Sequence, residues 1–379
     1  MSTCRAGRRL ASIHPRPAVL AHSIRIALGL VAASCAVSAQ ANPAGGVVTA
    51  GQASISQPVP GTLQIQQTTP RAVIDWQSFS IGASEAVRFQ QPSAMSATLN
   101  RVVGNEASSL LGTLTANGRV YLVNQNGIFI GRNARLDAAA LVLSTADTRN
   151  EDFMAGKLNF DLPGRAGARI INEGQISVSE GGLVALVAPG VENRGVISAR
   201  LGQVVLAGAR AFSLDLYGDG LVNVLLTASG LHEVTDATGK ALSNYVDQSG
   251  RITAEGGRVW ISAAAARGLV DGMVNMPGEV RATRVAQQGG EITLLAGTRL
   301  DVSGSVLATS ADGSGGRIVA SAPQTVIGTG AWLDASGAAG GGAVQVGGTL
   351  HGAQPVPGAD ATADTLTVAT GARLRADAT

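Results

Sequence analysis

Short aliphatic segments alternate with turn residues along most of this chain. Runs of about four to six residues rich in Val, Ile, Leu and Ala are separated by Gly, Asn and Asp, a pattern typical of short strands joined by tight turns. Amphipathic stretches of about 10–15 residues, which helical repeat proteins need, are missing. The pattern therefore predicts an all-β protein.

The strand–turn units repeat. Residues Ile171–Ile176 are followed about twenty-one residues later by the similar Asn193–Ile197, and a further copy begins at Ser249. Such a short unit cannot bury its own apolar side, so it has to stack on copies above and below. The geometry that fits is a parallel β-helix, or β-solenoid, with inward aliphatic columns, strands about 4.8 Å apart and stacked Asn amides along the axis.

Two segments depart from this cadence. Residues 147–169 are more charged and hold two of the six Phe, and residues 208–248 are less regular. We interpret both as small extra-helical excursions, the first as a hairpin or a helical turn. Residues 366–379 resemble the start of another turn without a polar cap. We expect either a longer natural product or a short or truncated member of its class.

The first 41 residues indicate an export signal. They combine an arginine-rich start, an apolar segment from Ile26 to Val37 and small residues before a cleavage point between Ala41 and Asn42. The apolar segment is too short to span a bilayer about 30 Å thick. No apolar run of membrane-spanning length follows it, so the mature chain is predicted to make no stable membrane insertion.

Composition restricts the function. Glycine is abundant, with 50 residues, whereas charged residues make only 14% and aromatic residues 3% of the chain. The chain has two lysines, Lys157 and Lys240, which argues against a nucleic-acid partner. Both cysteines lie in the export signal, so the mature chain is predicted to be stabilised by packing and backbone pairing without a disulfide.

Four separated motifs then occur in a recognisable order. The segments are Ala72–Gly82, Val87–Ser93, Leu99–Gly104 and Gly118–Gly131. Together they resemble the N-terminal secretion domain of filamentous haemagglutinins, also called the haemagglutination-activity domain, which marks exoproteins of two-partner secretion. The resemblance covers about residues 42–290. We predict that 42–290 form the secretion domain and that 291–379 are β-helix repeats of an adhesin stalk.

The resemblance implies a fold, a route and partners. It implies a right-handed parallel β-helix with an N-terminal cap, exported by the Sec route in a Gram-negative bacterium. POTRA modules of a cognate outer-membrane β-barrel transporter would recognise the chain, which would then be secreted or displayed on the cell surface. An adhesin or haemagglutinin that binds a host or neighbouring-cell surface is implied, without a cofactor.

The resemblance also points to site residues. The family's Asn-Pro-Asn-Gly signature matches Asn124, Gln125, Asn126 and Gly127, with Gln125 in place of proline. This segment either forms a tight corner between strands or contacts the transporter directly. Asn100 and Arg101 have the same two interpretations, an exposed transporter contact or a buried closure of the cap. Gln91–Ala94 stands near the place of the family's second signature, whereas Trp76 and Phe79 are expected to pack in the core or cap.

Catalysis has little support in the sequence. His232 and His351 are isolated, and no zinc, phosphate-loop or nucleophile-elbow motif occurs. Asp301 and Asp334 occupy matching places in two similar segments, Arg299–Gly304 and Trp332–Gly337, and either pair as carboxylates or serve as turn residues.

A calcium site and two other classes of function stay open. Asp312–Gly316 lacks the regular spacing of a calcium β-roll, although it offers one carboxylate in a glycine-rich loop. A β-helix polysaccharide-processing enzyme would need clustered acids and arginines on one exposed face. An exoprotein that binds a haem source would need long surface loops, for which 147–169 and 208–248 are the candidates.

Overall fold

The computed structural model describes residues 42–165, 167–214, 244–263, 273–283, 290–349, 354 and 362–379. Residues 41–379 form one compact unit. The predicted export signal at 1–41, with Ala41, lies outside the described residues. So do His232, His351 and most of the segment 208–248.

Nearly all regular structure within the described residues belongs to three long sheets, which we call sheets I, II and III. Sheet I contains eleven strands in these residues. In spatial order its strands are β1 Val47–Ala50, β4 Arg71–Trp76, β6 Ala97–Val102, β9 Arg119–Asn124, β12 Ala140–Ser144, β16 Leu183–Ala188, β19 Gln203–Gly208, β23 Arg258–Ala263, β26 Glu291–Ala296, β29 Arg317–Ser321 and β32 Ala343–Val346.

Sheets II and III follow the same axis with nine and twelve described strands. Sheet II consists of β7 Ser108–Leu110, β10 Ile128–Ile130, β14 Arg169–Asn172, β17 Gly190–Asn193, β21 Val246–Gln248, β24 Met273–Met276, β27 Arg299–Val302, β30 Gln324–Ile327 and β33 Thr365–Val368. Sheet III consists of β2 Ala53–Val59, β3 Thr62–Gln67, β5 Ala86–Gln90, β8 Thr113–Ala116, β11 Arg135–Ala138, β15 Gln175–Val178, β18 Val196–Ser198, β22 Arg251–Thr253, β25 Glu279–Arg281, β28 Ser305–Leu307, β31 Trp332–Asp334 and β34 Arg373–Arg375.

Each full turn of the chain passes from sheet I to II to III, and strands of successive turns pair in parallel. Because the register is kept, identical positions stack into columns. In sheet I one inward column runs through Leu122, Leu143, Leu186, Leu206 and Ile261, all fully buried. Such columns shelter the aliphatic side of every turn. The predicted parallel β-helix is therefore confirmed.

The N-terminal end is closed by antiparallel pairing. Strand β1 runs antiparallel to β4, and β2 runs antiparallel to β3, whereas β4 and β3 continue into the parallel sheets. Trp76 and Phe79 lie beneath this end in an edge-to-face contact with ring centroids 5.5 Å apart, and both are buried. The expected cap and the expected packing of these two rings are both present.

A second apolar cluster covers the outer face of sheet I. Between β12 and β14 the chain leaves the β-helix and forms the helix α1 (Asn150–Met154) and the strand β13 (Leu158–Phe160). Strand β13 pairs antiparallel with β20 (Phe212–Leu214), which follows β19. Phe160 stacks on Phe212 with centroids 4.5 Å apart and lies near Tyr121 of sheet I. The excursion predicted at 147–169 thus contains a helical turn, whereas its strand β13 pairs with β20, which lies outside that segment.

The matching of Asp301 with Asp334 was wrong. Asp301 lies in β27 of sheet II, whereas Asp334 lies in β31 of sheet III, where it is in register with Leu307 and Arg375. Asp301 pairs with Arg299 at 3.0 Å, and Asp334 accepts a hydrogen bond from the backbone of Ser336 at 2.9 Å. The two similar segments therefore occupy different sheets, and the carboxylates do not form a pair along one column.

Within the described residues, no helix is long and apolar enough to cross a membrane. The same residues contain no group of three or more His, Cys, Asp or Glu side chains that could hold a metal ion, and this includes the segment Asp312–Gly316.

Candidate functional site: the corners of the first turns

The signature segment forms the corner between sheets I and II. Asn124 ends β9 and is fully buried. Its side-chain oxygen accepts a hydrogen bond from the backbone of Asn126 at 2.9 Å, and its amide donates to the backbone oxygen of Glu106 and to Ser108 Oγ. Because Glu106 and Ser108 belong to the preceding turn, Asn124 bonds successive turns together as well as shaping its own.

Gly127 completes this corner. Its backbone N–H donates to the carbonyl oxygen of Asn124 at 3.0 Å, and its φ of +114° lies where residues with a side chain are strained. A Cβ atom here would lie 2.9 Å from the carbonyl oxygen of Arg169 in the next turn. Glycine is therefore needed for both the turn and the stacking.

Gln125 and Asn126 point from this corner toward other segments. Asn126 donates to the backbone oxygen of Gly104 at 3.0 Å, while its own side-chain oxygen is buried without a hydrogen-bond partner. Gln125 donates from Nε2 to the carbonyl of Pro163 at 3.3 Å and accepts from the backbone of Arg165 at 3.0 Å. Gln125 thus ties the corner to the excursion at 147–169.

Asn100 lies inside the β-helix. It is fully buried in β6, in register with Ile74 and Leu122 of the neighbouring strands. Its side-chain oxygen accepts a hydrogen bond from Trp76 Nε1 at 3.1 Å, and its amide donates to the backbone oxygen of Tyr121 at 3.3 Å. A polar side chain in an aliphatic column is tolerated because it is hydrogen-bonded on both sides.

Arg101 faces the opposite side of the same strand. Its guanidinium donates to Asp147 at 2.7 Å, to Asp75 at 3.0 Å, to the side chain of Asn150 at 2.8 Å and to the carbonyl of Thr148 at 2.6 Å. Since three of these four partners belong to the excursion, Arg101 anchors its first residues and α1 onto sheet I.

Two opposing effects act on the pKa of Arg101. Burial lowers it, but the hydrogen bond and charge of Asp147, together with those of Asp75, outweigh burial and raise the pKa above the usual arginine value. The folded protein therefore holds this proton more tightly than the unfolded chain. The resulting stabilisation is present below the usual arginine pKa and is lost only as the pH rises through the higher folded-state value.

Gln91 lies at another corner of the first turns and is not among the site residues predicted from the sequence. It is buried, its Oε1 accepts from the backbone of Gly118 at 2.9 Å, and its Nε2 donates to Thr98 Oγ1 and to the carbonyl of Arg119. The side chain of Asn117 accepts a hydrogen bond from the backbone N–H of Gln91 and donates one to the backbone carbonyl of Gln91, both at 2.8 Å. The position of Gln91 at the start of the Gln91–Ala94 segment is the one sequence feature that could have pointed to this role.

These residues form bonds between turns rather than a reactive centre. Asn100 and Arg101 lie on β6, and Asn124 lies on the adjacent β9 with its Cα opposite Val102. Their partners are backbone groups, amides, two hydroxyl groups, the indole of Trp76 and one arginine–carboxylate cluster. This arrangement fixes the register of the first turns and the position of the excursion, and it leaves Asn100 and Asn124 without exposed surface.

Comparison with known proteins identifies the fold. The TPS secretion domain model matches residues 39–298, which is more than half of the chain. The crystal structure of the HMW1 secretion domain from Haemophilus influenzae superimposes with a TM-score of 0.75 at 28% identity, over 89% of this chain and 84% of that one.

Two curated relatives share a name. Heme/hemopexin-binding protein of Haemophilus influenzae (strain KW20 / Rd) is 32% identical over 268 residues, which cover 68% of this chain and 28% of that protein. A second Haemophilus influenzae protein of the same name is 41% identical over 97 residues, or 26% of this chain and 10% of that protein. The matched part of this chain thus spans less than a third of the length of either relative. The family match confirms the resemblance seen in the four motifs, and the chain belongs to the TPS secretion domain family, the two-partner secretion domain of exoproteins.

Proposed function

We propose that this chain is the part of an exoprotein that a cognate outer-membrane transporter recognises. The match to the TPS secretion domain over residues 39–298 carries this proposal. In this scheme the Sec route exports the chain, the leader is removed after Ala41, and POTRA modules of a β-barrel transporter capture it in the periplasm of a Gram-negative bacterium. The exoprotein is then released or held at the cell surface.

The burial of Asn100 and Asn124 supports recognition of the chain before it folds. Asn100 and Asn124 are fully buried in the folded protein, so a partner can contact their side chains only before the β-helix forms. We therefore place recognition on the extended chain in the periplasm. Outside the cell the same residues close the first turns, from which the remaining turns stack.

An export assay with matched variants tests this function. Asn124→Ala and Asn193→Ala each remove a buried amide that bonds two turns at a corner, but only Asn124 lies in the signature. Both variants are co-expressed with the cognate transporter, and the protein in the medium is compared with that retained in the periplasm. Recognition of the signature predicts a loss of export for Asn124→Ala alone.

The other outcomes of this assay contradict signature recognition. Equal losses for both variants would show that export follows fold stability, because the two substitutions remove comparable bonds. Unchanged export of both variants would show that the transporter does not need the side chain of Asn124 for recognition. Omitting the transporter gives the baseline against which every variant is read.

In this proposal residues 42–290 form the secretion domain and 291–379 begin a stalk. The strands β26 to β34 continue the three sheets of the earlier turns, which supports a stalk of the same architecture. We propose no catalytic role, since Asp301 and Asp334 lie in different sheets and each has its own partner.

For the whole exoprotein, binding of a haem source is favoured over adhesion to a host or neighbouring-cell surface. The supporting observation is that two curated relatives are named heme/hemopexin-binding proteins. The test measures binding of hemin by absorbance titration and of hemopexin by calorimetry, using the exoprotein as secreted. Attachment of cells that display the exoprotein, without binding of hemin or hemopexin, would instead support the adhesin.

A further inference from the structure

A groove runs along the outside of the β-helix at the corner between sheets II and III, and its volume is about 620 Å³. Small-molecule sites in proteins have volumes of about 300–1,000 Å³. One wall is a column of side chains in strict register. From the N-terminal side its members are Val196, Arg251, Glu279, Ser305 and, just beyond the groove, Trp332. At a spacing of about 4.8 Å per turn, this wall extends over roughly 20 Å.

The floor of the groove consists of stacked glycines. They are Gly195, Gly250, Gly278 and Gly304. A Cβ atom on Gly250 would lie 2.2 Å from the carbonyl oxygen of Gly195, and one on Gly304 would lie 2.0 Å from that of Gly278. Close stacking of the turns therefore accounts for the glycines, so the identity of a ligand has to be argued from the walls.

The backbone of the floor is fully engaged between turns. The N–H groups of Gly250 and Gly304 donate to carbonyls of the preceding turn at 2.8 and 2.9 Å. The carbonyls of Gly195, Gly250 and Gly278 accept from Arg251, Glu279 and Ser305 at 2.9 to 3.0 Å. A peptide strand that binds by β-augmentation needs free backbone groups, and these groups offer none. A ligand has to be held by the side chains of the walls.

The charges of the groove are balanced. Arg251 pairs with Glu279 at 3.1 Å, and Arg194 on the opposite wall pairs with Glu173 at 3.0 Å and with Glu192 at 2.6 Å. A sulfated or phosphorylated chain would meet a carboxylate beside each guanidinium. An uncharged ligand rich in hydroxyl groups finds both donors and acceptors on these pairs.

Trp332 provides an aromatic surface just beyond one end of the groove, in register with Ser305. Its side chain is 39% exposed, whereas Trp76 is buried in the cap. The neighbours of Trp332 along sheet III are Ser305, which lines the groove, and Arg373. An exposed indole ring next to hydrogen-bonding side chains provides an apolar face together with polar contacts, the combination that a sugar ring requires.

We propose that this groove binds an uncharged linear glycan. One sugar ring stacks on Trp332, and Ser305, Glu279 and Arg251 bond the hydroxyl groups of the next units along the column. The repeat of a linear hexose chain is close to the spacing between turns, so one unit lies above each turn. The groove extends from the matched secretion domain into the turns beyond residue 298, and its ligand is independent of the transporter.

Titration calorimetry on the purified protein tests this site with maltohexaose and cellohexaose as probes. We expect at least one hexasaccharide to bind, and we expect Trp332→Ala to weaken that binding roughly tenfold or more. Ser249→Trp, which places a large ring on an exposed position lining the groove, should abolish binding. Met95→Ala serves as the control because Met95 is an exposed large apolar residue at another corner.

Each remaining outcome overturns the proposal. Binding of neither hexasaccharide, or equal binding by Trp332→Ala, Ser249→Trp and the control, would exclude the groove as a site for these glycans. If heparin bound and the hexasaccharides did not, the ligand of the groove would be a charged chain. If an extended threonine-rich peptide bound instead, the ligand would be a peptide strand. Circular dichroism of each variant confirms that the fold is kept, so that a loss of binding reports on the groove.

Discussion

Trp76 donates a hydrogen bond from its indole Nε1 to the side-chain oxygen of Asn100 at 3.1 Å inside the first turns of the β-helix. Both residues are buried, and they lie on the adjacent strands β4 and β6. The bond crosses between turns, so it adds a directional contact to a largely apolar part of the core. It therefore couples the antiparallel cap to the first parallel pairs.

Asn100→Ala should lower the free energy of unfolding by about 1–3 kcal/mol, because it leaves Trp76 Nε1 and the carbonyl of Tyr121 buried without that partner. Urea denaturation followed by tryptophan fluorescence measures the change. In a double-mutant cycle of Trp76→Phe and Asn100→Leu, the double variant should lose less stability than the sum of those two single variants, because it removes both partners of the bond. A fully additive cycle would argue against the bond.

Gly127→Ala should destabilise the protein more than Gly181→Ala. Both glycines have positive φ, +114° and +77°, so alanine is strained at either position by about 1–2 kcal/mol. Only at Gly127 does the added Cβ also approach a backbone carbonyl, that of Arg169, whereas no atom lies within 4 Å at Gly181. Thermal unfolding of the two variants measures which one is less stable. Equal losses of stability would show that the contact of the added Cβ with the Arg169 carbonyl does not matter.

Arg101→Ala should release the excursion from sheet I. The substitution removes the cation between Asp75 and Asp147 and leaves the carbonyl of Thr148 without its donor. Limited proteolysis and hydrogen exchange should show faster cleavage and exchange within 147–165. Arg149→Ala is the control, because Arg149 and Asp161 form a pair in which each side chain is about half exposed, and such pairs contribute little. Equal protection of the excursion in the two variants would contradict the anchoring role.

The sequence predicted the architecture because the stacked turns repeat their register locally. Asn172 and Asn193 are 21 residues apart, and the structure places them in register with an amide bond of 2.7 Å. The next member of that ladder, Gln248, is 55 residues from Asn193, because β20 and a further segment of the chain stand between β19 and β21. A fixed period could not align residues across such an interval.

A sequence pattern alone also could not place Asp301 and Asp334 in their sheets or identify the partners of Arg101. The segments around Asp301 and Asp334 look alike because every sheet uses the same strand and turn residues, and the sequence alone does not tell which sheet a strand joins. The partners of Arg101 lie 26 to 49 residues away along the chain. No local pattern connects them, because the contact exists only after the excursion folds back onto sheet I.

Asn193→Ala should cost about 1–3 kcal/mol of the free energy of unfolding, comparable to Asn124→Ala. Asn193 is the central member of the buried ladder, accepting from Asn172 and donating to Gln248, both at 2.7 Å. Its removal leaves one amide hydrogen and one amide oxygen unpaired in two neighbouring turns. Ser198→Ala, an exposed position on the same turn, should change the stability little. Urea midpoints decide the outcome, and a midpoint for Asn193→Ala equal to that of Ser198→Ala would show that the ladder does not stabilise the stack.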